Sequence, residues 1–227
     1  MKNCYRISDP ISIVLPLIFF FVLGCRKDDK SGMVTDADGN AYRSIEIGSQ
    51  VWMDKNLKTT KYNDGSDIPY ITDQTEWANL TTPGYCWYAN YDVDNKATYG
   101  GLYNFYTINT GKLCPSGWHV PTTYEWETLT VYFGDVMYAG KALKEAGTAH
   151  WLQPNSATNS TGFTALPGGA LFPSGFDGLT TSGYWWSKTA NDSASAYLWM
   201  MFYQYDWCTY TNLNMGIGAS VRCIKDP

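Results

Sequence analysis

Cys114-Pro-Ser-Gly-Trp-His-Val-Pro-Thr-Thr-Tyr-Glu-Trp126 admits two readings. It holds a cysteine, a histidine and a glutamate within twelve residues, the raw material of a catalytic or metal centre. It is equally a rigid turn feeding a helix, because Pro115 and Pro121 restrict the backbone on the approach. Thr122-Thr-Tyr-Glu125 fits a capping box, in which the threonine hydroxyl accepts from the glutamate amide and the carboxylate reaches back. Trp126, Leu129 and Phe133 then recur at i, i+3 and i+7, so one face of the helix is predicted to be buried. Under the second reading Cys114, Trp118, Glu125 and Trp126 all have structural tasks, and His119 alone lacks a partner.

Around this helix the pattern is that of an α+β chain. A second short helix is predicted over about Tyr138–Ala146, closed by Gly147. Val34–Tyr42 carries an Asp-Gly turn, followed by alternation at Ile45, Ile47 and Val51-Trp52, which predicts a hairpin. Asp36, Asp38 and Asn40 alternate like the start of a calcium loop, but Ile47 stands where its bidentate glutamate is needed. Residues 54–110 are rich in turn residues. Residues 197–207 alternate, with Tyr197, Trp199, Met201, Tyr203, Tyr205 and Trp207 on one face, and are read as one strand. A last strand is expected at Ala219–Ile224.

The beginning of the chain speaks to location. Lys2 and Arg6 precede an apolar run at Ile11–Leu23, which suits a signal-peptide core better than a membrane span. The run ends in Val22-Leu23-Gly24-Cys25, which resembles the lipobox of bacterial lipoproteins. That resemblance implies cleavage before Cys25 and acylation of its thiol and new amino terminus, with several chains giving stable anchorage. Residues 1–24 are then signal peptide, 25–33 lipidated cysteine and charged tether, and 34–227 a single domain. Arg26-Lys-Asp-Asp-Lys30 reads either as a plain tether or as the surface-export signal of Bacteroidota lipoproteins. The expected location is the outer membrane of a Gram-negative bacterium, lipid-anchored and exposed at the cell surface.

Net charge is −5. Without residues 1–24, fourteen basic residues face twenty acidic ones with no basic cluster, which argues against a nucleic-acid partner. Of six cysteines, Cys86, Cys114, Cys208 and Cys223 remain in the domain. An even number in an oxidising compartment suggests two disulfides, with three possible connectivities.

Six ordered stretches carry a family resemblance: Gly48-Ser-Gln-Val-Trp-Met-Asp-Lys-Asn-Leu57, Tyr99-Gly-Gly-Leu-Tyr-Asn104, Cys114–Pro121, Gly162-Phe-Thr-Ala-Leu-Pro-Gly-Gly169, Gly183-Tyr-Trp-Trp-Ser187 and Ser220-Val-Arg-Cys-Ile-Lys-Asp226. Together they resemble the Fibrobacter succinogenes major paralogous domain, from about Val34 to Asp226. Val120–Trp126 and the closing Trp-Trp-Ser and Val-Arg-Cys motifs are similar to the sulfatase-modifying-factor fold, itself related to C-type lectins. The resemblance implies small antiparallel sheets, two short helices and long ordered loops. It also implies a Cys114–Cys223 bridge, which leaves Cys86–Cys208 as the second.

The function expected on these grounds is non-enzymatic binding of a glycan or an extracellular protein. A structural or assembly role in the outer membrane is the alternative, and a sulfatase-modifying-type enzyme the third reading. Catalysis is disfavoured because the close C-terminal cysteine pair of those enzymes is absent and two histidines cannot build a three-histidine iron site. No cofactor is expected. Calcium has weak candidates in Gln153 and Asn155, of a Gln-Pro-Asn tripeptide resembling the sugar-selecting one of lectins, and in Asn191 and Asp192. Tyr70, Trp77, Trp87, Tyr88 and Tyr91 lie in loop-like contexts and are the aromatic candidates for ligand stacking.

Overall fold

The computed structural model describes residues 32–90 and 94–227, and residues 31–227 form one compact unit. The expected signal peptide, Cys25, most of the expected tether and Tyr91 lie outside the described residues. No helix among those described is long and apolar enough to cross a membrane.

The fold is mixed α/β, with short helices around antiparallel sheets. One five-stranded sheet comprises β1 (Met33–Thr35), β2 (Ala41–Ile47) and β3 (Gln50–Met53), joined by β12 (Ile224–Lys225) and β6 (Trp118–His119), in the order β1-β2-β3-β12-β6. The expected hairpin is its start. Asp36 holds the turn by accepting from the Asp38 and Asn40 amides at 3.0 and 2.9 Å and from the Tyr42 hydroxyl at 2.6 Å. A two-stranded sheet pairs β4 (Tyr85–Cys86) with β5 (Leu102–Tyr103).

The other five-stranded sheet contains β7 (Gly168–Phe172), β8 (Gly175–Leu179), β9 (Ser182–Ala190), β10 (Ser195–Phe202) and β11 (Thr209–Asn214), in the order β11-β10-β9-β7-β8. Its neighbours are antiparallel except β7 and β9, which run parallel at Gly169 and Gly183. Successive strand side chains point to opposite faces. Trp185 and Trp199 therefore enter one core with Trp52, Trp126 and Phe163, while Trp186 and Leu198 enter another with Tyr103, Phe105 and Val221. This sheet is a septum between two cores, and its middle strands β9 and β10 bury side chains on both faces.

The helices are α1 (Gln74–Ala78), α2 (Asp94–Tyr99), α3 (Phe105–Ile108), α4 (Thr123–Val131) and α5 (Val136–Leu143). Among the described residues there are thus five, all short, where two were expected, because one-turn helices inside loops leave no long periodic pattern to read. The predicted capping box is present at α4, with Trp126 and Leu129 buried beneath it. The second predicted helix begins and ends earlier than expected, with Lys144 already extended.

Strand β10 stops at Phe202, short of the predicted Trp207. Lys144 is the physical reason. Fully buried, it donates from Nζ to the carbonyls of Phe202, Tyr203 and Tyr205 at 2.9, 3.3 and 2.7 Å, gathering them into a turn. A strand would point these carbonyls alternately to opposite sides. Desolvation pushes the Lys144 ammonium down to about 8.

Cys114 and Cys223 form a disulfide that joins the approach of α4 to the strand beside β3. The second expected bridge is absent. Cys86 and Cys208 are free buried thiols, Cys86 packed with Trp77 and Leu102 and Cys208 with the Trp126 core. An even cysteine count says nothing about proximity, and a bridge needs Cα atoms within roughly 7 Å. Burial pushes both thiols up, so neither is a reactive thiolate.

Candidate functional site

The β3–β12 pairing is limited to Ile224 opposite Trp52, while the far side of β12 continues along β6 through Lys225 opposite Trp118. The Asp226 amide then donates to the Gly117 carbonyl, and Pro227 has no N–H with which to extend a ladder toward β3. A groove of about 540 Å³ opens here, lined by Ser49, Gln50 and Val51 on one bank and by Glu125 and Ile224–Pro227 on the other. Gln50 ties the banks together, its Nε2 donating to the Glu125 carbonyl at 2.9 Å and its Oε1 accepting from Trp52 Nε1 at 3.2 Å. Ser49, Lys225 and Asp226 are exposed on the rim.

His119 now has its partners. Nδ1 lies 2.6 Å from Asp226 Oδ1 and Nε2 lies 2.8 Å from Glu125 Oε1. Both carboxylates accept, so both contacts are satisfied only when each ring nitrogen carries a hydrogen. Glu125 is occupied as well, its Oε2 accepting from the Thr122 amide and hydroxyl at 2.7 and 2.8 Å. The cluster clamps the last strand to the start of α4 and leaves no ring nitrogen free to serve as a general base. Asp226 is 107 residues from His119 and belongs to the last of the six motifs, which was the only sequence signal for it.

Burial alone raises the Glu125 carboxyl, but the Thr122 hydrogen bonds and His119 outweigh it, and it ends below its ordinary value. A depressed folded-state value stabilises above the unfolded carboxylate range, and that stabilisation is lost as pH falls through the folded value. Glu125→Gln is therefore expected to cost roughly 1–2 kcal/mol at neutral pH. Urea unfolding across pH should show the gap to wild type closing below the carboxylate range. A gap independent of pH would count against the clamp. Separately, Thr122→Ala is expected to cost about 1 kcal/mol by removing the cap, measured by the same unfolding.

The aromatic candidates do not assemble into one surface. Trp77 and Trp87 are buried, at 2% and 3% exposure, which corrects their reading as surface residues. Trp77 Nε1 donates to the Gly216 carbonyl, so this indole fastens a loop, and Trp87 stands edge-on to Tyr85. Loop position misled here because the loops themselves close the core. Tyr70 is exposed and stacked on Tyr85 at 5.2 Å, and Tyr88 is half-buried against Phe176. The calcium candidates hold their own loops. Asn155 donates to the Glu145 and Gly147 carbonyls, and Asp192 accepts from the Ala194 and Ser195 amides with Asn191 alongside. Gln153 is exposed. Among the described residues no three His, Cys, Asp or Glu side chains converge as a metal site would require.

Sequence reasoning also missed a second buried cation. Arg222 is fully buried, its Nε and Nη2 both donating to Asn56 Oδ1 at 3.1 and 2.8 Å. Its Nη1 donates to the Met53 and Phe163 carbonyls at 3.2 and 2.5 Å, and the guanidinium lies 4.2 Å from the Phe163 ring centre. Desolvation pushes it down to about 9. Asn56 Oδ1 also accepts from Trp185 Nε1, so four of the six motifs meet at one buried oxygen and the carbonyls around it.

These features define a class: a mixed α/β domain with one disulfide among the described residues, whose strand β12 completes its first sheet and four of whose six motifs meet in the core. The Fibrobacter succinogenes major domain matches residues 45–225, and the chain belongs to that family. No curated protein and no solved structure matches it.

Proposed function

We propose that this chain is a lipoprotein anchored in the outer membrane through Cys25, exposing a non-enzymatic, lectin-like binding domain at the cell surface. The groove between Ser49–Val51 and Ile224–Pro227 is its ligand site, and a glycan is the preferred ligand. The observation that carries this reading is the groove itself, about 540 Å³ and lined by hydroxyl, amide, carboxylate and ammonium side chains. Such a concave site with a few polar groups suits a hydroxyl-rich ligand. Binding is preferred to catalysis because His119 and Glu125 are both occupied by structural contacts. The lectin-like architecture and the anchor rest on the resemblances of the motifs and of Val22–Cys25.

A glycan array probed with residues 26–227, with and without calcium, tests the reading. Retention of a defined glycan is expected, weakened about ten-fold in Lys225→Ala and Ser49→Ala by loss of rim hydrogen bonds. Silence on glycans with capture of one outer-membrane protein would favour a structural or assembly role. Copper-dependent oxidation of a peptide cysteine would favour the enzyme.

A further inference from the structure

Helix α4 is apolar on two sides. Trp126 and Leu129 face the core, yet Tyr124 and Val131, at i and i+7, are 76% and 67% exposed on the opposite face, and the C-cap Tyr132 is 61% exposed. Helix α5, which packs on α4, adds Met137 and Tyr138 at 52% and 66%. Ten large hydrophobic residues are exposed among those described, and five of them fall within residues 124–138. Singly scattered exposed apolar residues are ordinary, but this concentration marks an interaction face.

Its position indicates what covers it. A Cβ on Gly48 would meet the Tyr132 ring, so the patch adjoins the turn between β2 and β3. Strand β1 is antiparallel to β2, with Met33 opposite Arg43, and it runs away from that turn. Gly32 and Met33 therefore lie at the end of β1 nearer the patch. Met33, the first residue of β1, is itself 65% exposed. Cys25 is eight residues earlier, so the lipid attachment cannot lie farther from Met33 than about 26–29 Å of extended chain. Tyrosines mixed with Met and Val are suited to the boundary between headgroups and acyl chains.

We propose that the α4–α5 face, with Met33, lies against the lipid surface in which the chain is anchored, and so orients the domain on the membrane. The inference rests on acylation at Cys25. Because Ser49 of the groove follows Gly48, the groove opens at this same end, and its ligand would be met at the lipid surface.

The test uses the full lipidated chain in phosphatidylcholine vesicles doped with a photoactivatable diazirine phosphatidylcholine. Adducts are expected to concentrate on residues 124–138 and Met33. The triple variant Tyr124→Ser, Val131→Ser, Tyr138→Ser should lower them on the order of ten-fold, since little apolar area remains to bury. Its thermal unfolding should stay unchanged, the three side chains being exposed. Tyr70→Ser, exposed beside Tyr85 of β4, should leave the adducts as they are. Adducts spread evenly or concentrated on another face would overturn the inference alone, as would an absence of adducts with two copies joined through residues 124–138 by a separate bifunctional cross-linker. An intact mass without acyl chains at Cys25 would overturn the anchoring and the inference together.

Discussion

Arg222→Met is expected to destabilise the domain by about 3 kcal/mol, although the substitution removes a buried charge. Two effects oppose each other. Methionine relieves the desolvation that depresses the guanidinium, and replacing a buried charge by an apolar side chain can be neutral or better where its partners are replaced too. Here they are not. The Met53 and Phe163 carbonyls and much of the Asn56 acceptor capacity would stay buried without donors, at about 1–3 kcal/mol each. The unmet acceptors win. Arg222→Lys should fail to restore stability, because a point ammonium cannot reach Asn56 on one side and two carbonyls on the other as a planar fork does. Equilibrium urea unfolding of both variants measures this, and wild-type stability in Arg222→Met would refute the account.

Removing the disulfide should cost more. The bridge spans 109 residues, and the chain-entropy model assigns a closed loop of that size about 4–5 kcal/mol. The double variant Cys114→Ser, Cys223→Ser avoids leaving a lone thiol. Its urea midpoint should fall well below wild type, with wild type in reductant falling to match. Alkylation in denaturant without reductant should mark Cys86 and Cys208 and spare Cys114 and Cys223. Four marked thiols would remove the bridge.

What could be read from the chain was local. The Thr122–Glu125 cap, the Asp-Gly hairpin and the buried stripe of Trp126 and Leu129 depend on residues within one or two turns of each other. The family motifs extended that reach to the Cys114–Cys223 pairing. Arg222 in an expected strand and Lys144 in an expected helix escaped notice because a charged residue in either reads as a solvent position, and only tertiary packing supplies the carbonyls that hold it. Trp77 and Trp87 escaped for the converse reason: a loop that folds over a core buries its aromatics without any period. His119 could be singled out as lacking a partner, but Asp226 stands 107 residues further along the chain. The groove was not legible at all. It is the space left where two strands part, and no residue pattern encodes a space.

The place of β12 has a consequence for the order of folding. It sits between β3, formed near residue 50, and β6, formed near residue 118, so the first sheet stays in two pieces until residues 224–225 arrive. Such pairings between distant segments form slowly and expose unpaired edges meanwhile. A chain made amino terminus first therefore cannot finish this sheet until residues 224–225 have left the ribosome. Its hairpin must wait, open-edged, for β12 to arrive, so synthesis itself is an interval the fold has to survive.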